Sequence, residues 1–231
     1  MIANRVLDTC ESTNILAKEL GEAGYPSGTW VSAKKQTQGK GRMGRSWVSE
    51  DGNLFLSVLL RAEDQTPMTW IPLRVAVVVL ECILELHPSL DIKIKWPNDL
   101  VSSRGEKYAG ILCEGFGGVN GSFIVIGIGV NCKSAPDTDQ KTSSVNVSSD
   151  DLRQLILKNI STVLNGDHFL IRFQDHHILK QGQNIDWYSL QCPERVLSGV
   201  FKKLGTHGEL IVDCNGVEQS LWSEEIKIKW V

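Results

Sequence analysis

The sequence lacks a strong charge of either sign and a long apolar run. Its 231 residues carry 24 Lys and Arg against 27 Asp and Glu, which gives a formal net charge of −3. This balance gives no overall electrostatic reason to expect nucleic acid or an anionic membrane as a partner. The longest apolar stretch, 70–86, is interrupted by charged residues and falls short of the ~20 residues that a membrane span needs. We therefore expect no membrane partner, and any basic function must be local.

The sequence also lacks the usual signs of a disulfide framework or a zinc site. Its six cysteines are scattered, no two form a C-x-x-C pair, and none lies in a Cys/His cluster. The first residues run into Asp8 and Glu11 without the apolar region of a secretory signal. Buried thiols in a reducing cytoplasm account best for these cysteines, so we predict a cytoplasmic protein.

Apolar runs and helical spacing predict two parts of different character. Residues 1–186 combine strand-like runs with amphipathic helices, which predicts an α+β domain. Its strands are predicted at 6–10, 29–33, 53–61, 92–96, 100–101, 107–114 and 122–132, and its helices near 13–24, 68–86, 150–160 and 171–178. Residues 187–231 show short strands at 196–201, 209–213, 217–221 and 226–230. Their spacing between turns suggests a small β-barrel.

Residues 34–52 are predicted to form a long irregular loop. They hold four glycines and five cations, with no acid before Glu50. The G-x-G-x-x-G spacing at 39–44 matches a dinucleotide fingerprint, but no helix follows it, as that motif requires. The G-x-x-x-x-G-K-[ST] sequence of a P-loop is not present either. The cations alone are typical of a solvated basic loop.

The loop occurs together with other motifs in a fixed order. "STN" at 12–14 precedes "QTQGKGRMGRSWVSEDGNLFLS" at 36–57, and "KWPND" at 95–99, "KYAGIL" at 107–112 and "IGIGVN" at 126–131 follow. Together these segments resemble biotin protein ligases, whose loop usually has a sequence close to G-R-G-R-x-G-R-x-W. The resemblance covers most of residues 8–131.

The resemblance implies a mixed central β-sheet packed with helices, followed by a small SH3-like β-barrel. It also implies a ligase that works in two steps. The carboxylate of biotin attacks the α-phosphate of Mg-ATP to form biotinyl-5′-adenylate, and a lysine of a biotin carboxyl carrier domain then takes the biotin as an amide. ATP, Mg²⁺ and biotin are the implied small molecules. The implied partner is the carrier domain of acetyl-CoA carboxylase or of a similar carboxylase.

The implied biotin site draws on three motifs. Four polar residues are expected to hold the ureido ring, because hydroxyls and amides suit a group that both donates and accepts hydrogen bonds. They are Ser12, Thr13, Asn14 and Gln36. A plain helix cap is the alternative role for Ser12. The residues expected to wrap the carboxylate and the adenylate phosphate are Gly39, Lys40, Gly41 and Arg42. Lys107 and Arg42 are the expected catalytic cations, and Gly110 is expected to leave room for the ligand.

The implied nucleotide site adds residues from the strand ends. Its members are Arg42, Trp47, Lys95, Asn98, Asp99, Lys107 and Asn131. Asp99 is the expected Mg²⁺ ligand, because one carboxylate just past a strand can share the metal with ATP phosphates. "PND" is equally an ordinary turn sequence. A core position is the alternative for Trp47, and a solvated surface position is the alternative for Lys107.

Two positions depart from the family's usual loop, and other functions stay open. Lys40 keeps the charge of the usual arginine without its planar fork, and Met43 also differs; we expect activity to survive. A lipoate or octanoate ligase or transferase of the related fold is the first alternative. A nucleic-acid-binding module using 34–45, with binding that falls steeply with salt, is the second. The match begins almost at Met1, so we expect no helix-turn-helix domain and no DNA partner, while a homodimer is left open.

Overall fold

Two β-sheets carry the fold. The computed structural model describes residues 3–61, 68–161, 169–188 and 195–228. The strands of the first sheet are β1 (Arg5–Cys10), β2 (Trp30–Gln36), β3 (Leu54–Arg61), β4 (Lys93–Lys95), β5 (Asp99–Val101), β6 (Lys107–Phe116) and β7 (Phe123–Val130). Their order is β1-β2-β3-β7-β6-β5-β4. Strands β1 and β2 are parallel and the other pairs are antiparallel, so the sheet is mixed.

In the described parts of the chain, four α-helices accompany this sheet. They are α1 (Thr13–Glu22), α2 (Trp70–Leu86), α3 (Ser149–Asn159) and α4 (Phe169–His176). No helix among the described residues is long and apolar enough to cross a membrane. Strand β3 is buried on both faces, which explains its nearly continuous apolar run. Leu54, Leu56 and Val58 belong to the large core under α2, whereas Leu59 belongs to a smaller cluster that includes Ala17 of α1.

The second sheet is antiparallel. Its strands are β8 (Asn184–Tyr188), β9 (Val196–Leu204), β10 (Leu210–Cys214), β11 (Val217–Leu221) and β12 (Ile226–Lys227), in the order β11-β10-β9-β8-β12. The predicted α+β class, a mixed sheet with helices followed by a small β unit, is confirmed. The last predicted strand reaches into residues 229–231, which lie outside the described residues, as does Cys192.

The clearest differences from the predictions are two element boundaries and one strand that was not predicted. Strand β2 continues through Lys34 to Gln36, because Lys35 and Gln36 pair with Thr9 and Cys10 at the end of β1. The helix predicted through Ile178 ends at His176, since the backbone N–H of Ile178 donates to the carbonyl of Ile94 in β4, at 3.0 Å. Strand β8 was not predicted. Its five residues alternate around only two buried side chains, Ile185 and Trp187.

A tight turn at 205–208, between β9 and β10, anchors the second sheet to the first. Three donors from the larger domain bind three successive carbonyls of this turn. The Trp70 indole N–H donates to the carbonyl of residue 206 at 3.0 Å, the Thr69 hydroxyl to that of residue 207 at 2.5 Å, and the Trp96 indole N–H to that of residue 208 at 2.9 Å. Trp96 lies in the "KWPND" motif, so this contact fixes the second sheet beside Asn98 and Asp99.

Candidate active site

A cavity of about 1,070 Å³ lies between the two sheets. Its walls come from the start of α1, the end of β2, the 39–47 loop, strands β5 to β7 and the edge of the second sheet. The residues predicted for the site that line it are Ser12, Thr13, Asn14, Gln36, Lys40, Gly41, Arg42, Trp47, Lys95, Asn98, Asp99, Lys107, Gly110 and Asn131. Gly39 is buried behind the wall, where a Cβ would lie 2.4 Å from the carbonyl oxygen of Trp47.

The glycine-rich loop closes on itself through its backbone. The N–H of Trp47 donates to the carbonyl of Gly39 at 2.8 Å, and the N–H of Gly41 donates to the carbonyl of Arg45 at 2.7 Å. Its centre is a single 3₁₀ turn, Arg42–Gly44, and strand β3 follows. Helical N–H groups therefore do not face a pyrophosphate here, which agrees with the exclusion of a Rossmann motif. Met43 adopts a φ of 55° at the tip and is largely exposed.

Two arginines tie this loop to the second sheet. Arg42 donates from Nη1 to Oδ1 of Asn98 at 2.9 Å and from Nη2 to the carbonyl of Ser223 at 2.5 Å. Arg45 forms an ion pair with Glu225 at 2.9 Å. Burial lowers the pKa of Arg42, and the nearby Asp99 carboxylate opposes that shift. The sequence did not indicate these partners, because 181 residues separate Arg42 from Ser223.

Three cations surround one carboxylate at the centre of the cavity. Lys107 Nζ lies 2.8 Å from Asp99 Oδ1, and both side chains are more than four-fifths buried. Lys95 is paired with Asp99 across β4 and β5, and burial lowers the pKa of Lys95. Arg42 reaches the same region through Asn98. This end of the cavity therefore carries more positive than negative charge, which suits a ligand with several negative charges.

Trp47 lies flat over two glycines. A Cβ at Gly110 would approach the indole to 2.8 Å, and a Cβ at Gly129 would approach it to 2.6 Å. The space over Gly110 is thus taken by Trp47 and by the Lys107 side chain, whose Nζ is 5.3 Å from the indole centre. The indole Nε1 is buried against Gly129 and has no hydrogen-bond partner among the described residues.

The opposite end of the cavity is polar but nearly uncharged. The Ser12 side chain does not cap α1, so the alternative role considered for it is not seen. The N–H of Thr13 donates to Gln36 Oε1 at 2.8 Å. Asn14 is bound by two residues that sequence reasoning missed, Ser57 and Glu114. The only sequence signals for them were a hydroxyl within an apolar strand and an acid at the end of "KYAGILCE".

Residues 136–142 form a covering segment that was predicted only as a polar loop. Pro136 and residues 138–142 line the cavity. The Lys107 backbone holds this segment, because its N–H donates to the carbonyl of Lys141 at 2.9 Å and its carbonyl accepts from the N–H of Ser143 at 3.1 Å. Asn131 Nδ2 donates to both of the carbonyls of Lys107 and Ser143, while its buried Oδ1 has no partner among the described residues.

Within the described residues, no group of three or more His, Cys, Asp or Glu side chains is arranged to hold a metal ion. Asp99 lines the cavity together with two other carboxylates, Asp139 and Glu225, and it is already paired with Lys107. A magnesium ion at Asp99 would therefore need most of its oxygen ligands from a phosphorylated ligand and from water, as is usual for this metal.

The sequence is similar to one family of known proteins along more than half of the chain. A sequence model of the biotin/lipoate A/B protein ligase family matches residues 6–131. The biotin–[acetyl-CoA-carboxylase] ligase of Paracoccus denitrificans is 38% identical over 135 residues, which are 57% of this chain and 55% of that protein. The bifunctional ligase/repressor BirA of Bacillus subtilis is also 38% identical over 135 residues, 56% of this chain and 40% of that protein. The match thus spans about half or less of the length of these relatives.

Solved structures share the fold along nearly the whole chain. The biotin protein ligase of Aquifex aeolicus in complex with biotin and ATP superposes with a TM-score of 0.81 at 22% identity, covering 97% of this chain and 98% of that one. The biotin acetyl coenzyme A carboxylase synthetase of Helicobacter pylori gives a TM-score of 0.66 at 22% identity, covering 94% and 98%. At this identity the likeness concerns the fold.

Proposed function

The chain belongs to the biotin/lipoate A/B protein ligase family, and from that premise we propose that it is a biotin protein ligase. It joins biotin to Mg-ATP to form biotinyl-5′-AMP and transfers the biotin to a lysine of a biotin carboxyl carrier domain. The name of the Paracoccus relative supports a carrier domain of acetyl-CoA carboxylase. A cytoplasmic location is part of this proposal, because the five cysteines in the described residues are free thiols.

One observation carries this proposal: a single cavity joins a neutral polar end to a cationic end. Ser12, Thr13 and Gln36 line the neutral end, which suits the ureido ring of biotin. Arg42 and Lys107 line the cationic end, which suits the biotin carboxylate and the phosphates of ATP. The two ends face one cavity, so the two anionic reactants would meet where fixed positive charge offsets their repulsion.

In the first step, an oxygen of the biotin carboxylate bonds to the α-phosphorus of ATP, and pyrophosphate leaves with the electrons of the broken P–O bond. Negative charge grows on the oxygens around phosphorus, and Lys107 would stabilise it there. Arg42 would exchange its contact with Asn98 for the phosphate, to which its planar guanidinium can donate two parallel hydrogen bonds. Trp47 would close one wall against water.

In the second step, the acceptor lysine's amine attacks the acyl carbon, and AMP leaves with the electrons of the C–O bond. The same cations would stabilise the phosphate of the leaving AMP, so they serve both steps. Asp99 is the residue that would hold magnesium, together with phosphate oxygens and water, and the metal would neutralise phosphate charge.

A lipoate or octanoate ligase is the nearest alternative. The neutral end argues against it, because a dithiolane or an alkyl chain has neither N–H nor C=O groups for the hydroxyls and amides of Ser12, Thr13 and Gln36. Leaving such groups buried and unpaired is costly, which is how polar sites reject apolar ligands. A nucleic-acid-binding module is less favoured still. Lys34 is paired with Asp8 and Arg45 with Glu225, so part of the basic segment's charge is neutralised.

The deciding test is release of pyrophosphate from Mg-ATP with biotin, lipoate, octanoate or no acid, without a carrier protein. We expect stimulation by biotin alone. Stimulation by lipoate or octanoate instead would show that the proposed substrate is wrong, but it would leave the proposed roles of Arg42 and Lys107 in place. With no stimulation by any acid, the proposal fails. Transfer of labelled biotin to a purified carrier domain then tests the second step.

A further inference from the structure

Five polar side chains form a continuous hydrogen-bonded chain beneath the neutral end of the cavity. Gln36 Oε1 lies 3.1 Å from Thr13 Oγ1, and Thr13 Oγ1 lies 2.7 Å from Ser57 Oγ. Ser57 Oγ lies 2.6 Å from Asn14 Oδ1, and Asn14 Nδ2 lies 2.7 Å from Glu114 Oε2. The chain therefore runs from a carboxylate on β6, through β3, to a cavity-lining residue at the start of α1.

The carboxylate at one end fixes the direction of these hydrogen bonds. Only an NH₂ group can donate to Glu114, so the amide oxygen of Asn14 must face Ser57 and accept from it. Ser57 has one hydroxyl proton, and this bond uses it. The Thr13 hydroxyl contacts two oxygens, Ser57 Oγ at 2.7 Å and Gln36 Oε1 at 3.1 Å, and both contacts draw on its single proton, because oxygens this close without a proton between them would repel each other.

This direction leaves Thr13 Oγ1 as an acceptor. Its single proton is used within the protein, towards Ser57 Oγ and Gln36 Oε1, and Gln36 Oε1 also accepts from the backbone N–H of Thr13 at 2.8 Å. Thr13 lines the cavity, so a ligand at this point must donate a hydrogen bond. The N–H groups of a cyclic urea do so, whereas a dithiolane or an alkyl chain cannot.

We propose that Ser57 and Glu114 are positioning residues that set the hydrogen-bond polarity of the cavity floor and so select an acid with an N–H donor. This inference rests on the proposed biotin ligase function and adds two residues to it. Neither is among the residues that line the main cavity; each acts through Asn14 or Thr13.

The packing around Asn14 supports a fixed arrangement. A Cβ at Gly127 would lie 2.3 Å from Asn14 Oδ1, so glycine is what allows the amide to lie against β7. Ser57 is fully buried, and within the part of the chain that the structure describes its hydroxyl binds Thr13 and Asn14. Glu114 faces an adjoining cavity of about 680 Å³, where its other oxygen can be hydrated. The Glu114 carboxylate can therefore lie at the end of this buried chain of hydrogen bonds.

The test measures KM and kcat for biotin and for ATP in pyrophosphate release by wild type, Glu114→Ala, Glu114→Gln, Ser57→Ala and the Ser57→Ala/Glu114→Ala double variant. We expect each alanine variant to raise KM for biotin roughly 10-fold, because one directed hydrogen bond is lost. The values of kcat and of KM for ATP should stay within about twofold. Glu114→Gln should remain within about threefold for biotin, because its carbonyl still accepts from Asn14.

The double variant separates this role from general destabilisation. Because both changes break the same chain, we expect the double variant to match a single one at roughly 10-fold, whereas independent effects would multiply to about 100-fold. An unchanged KM for biotin, a multiplied effect, or a loss in kcat and in KM for ATP would each overturn the proposal. Should Glu114→Ala fail to fold, Ser57→Ala decides. Wild type without biotin-stimulated release would instead refute the proposed function itself.

Discussion

Replacing Lys107 by methionine removes one positive charge from the cationic end of the cavity and keeps an unbranched side chain against Trp47. If Lys107 stabilises charge on the transferring phosphorus, biotin-dependent pyrophosphate release should fall by about 10² to 10³, the usual effect of losing one such donor. This corresponds to about 3–4 kcal/mol of transition-state stabilisation.

The same change also breaks the ion pair with Asp99, and this second effect lowers the free energy of unfolding. The two charged atoms are 2.8 Å apart and their side chains are 18% and 16% exposed. Removing one partner of a fully buried pair costs about 3–5 kcal/mol. Lys95 remains opposite Asp99 and both side chains keep some solvent, so we expect a loss of about 1–2 kcal/mol in the free energy of unfolding.

A matched variant separates the two effects. Adding Asp99→Asn to Lys107→Met removes the unpaired carboxylate, so the free energy of unfolding in urea should recover by about 1 kcal/mol, while pyrophosphate release stays low. Single-turnover assays at saturating biotin and ATP give the rate of the chemical step. Release by folded Lys107→Met within about threefold of wild type, well short of the expected effect, would refute the catalytic role and leave Lys107 as a structural partner of Asp99.

Three further predictions concern other parts of the molecule. Arg42→Gly should release biotinyl-5′-AMP about 10-fold faster in a gel-filtration retention assay, because the phosphate loses a charge-assisted contact; equal retention would contradict this. Gly129→Ala should displace the Trp47 indole, lower adenylation and cost about 1–3 kcal/mol in urea unfolding; an unperturbed variant would contradict this. Burial lowers the pKa of His177 from an ordinary 6.5 to about 3. As the pH falls from 6.5 towards 3, the unfolded chain therefore takes up a proton that the folded chain excludes, and the free energy of unfolding should decrease. His177→Phe should flatten that fall in urea titrations at pH 7 and 4.5, and an equally steep fall would refute the role of this histidine.

The elements that the sequence predicted well are those whose own residues indicate that they are buried. Strands β3 and β7 are buried on both faces, and their apolar runs show this without knowledge of any partner. Strand β8 and the end of β2 form through pairing with β9 and β1 rather than through an apolar pattern of their own. Their own residues, such as Asp186 and Lys35, carry no strong strand preference.

In the candidate site, too, some residues could be predicted from the sequence and others could not. The motifs of the resemblance supplied the residues of the cavity wall, because those residues lie within short contiguous segments. The supports behind the wall could not be predicted, since 43 residues separate Asn14 from Ser57 and 100 separate it from Glu114. The partners of Arg42 and Arg45 on the second sheet are further still along the chain.

The turn at 205–208 is bound to the larger domain through three of its backbone carbonyls, and this has a consequence for which sequence changes the protein tolerates. The side chains at 206 and 207 take no part in these three hydrogen bonds, so a substitution there should leave the three contacts in place. An inserted or deleted residue would move the carbonyls out of step with their three donors. Natural variants should therefore keep the length of this turn, although its sequence can change. An engineered peptide is better inserted at the exposed turn at 215–216.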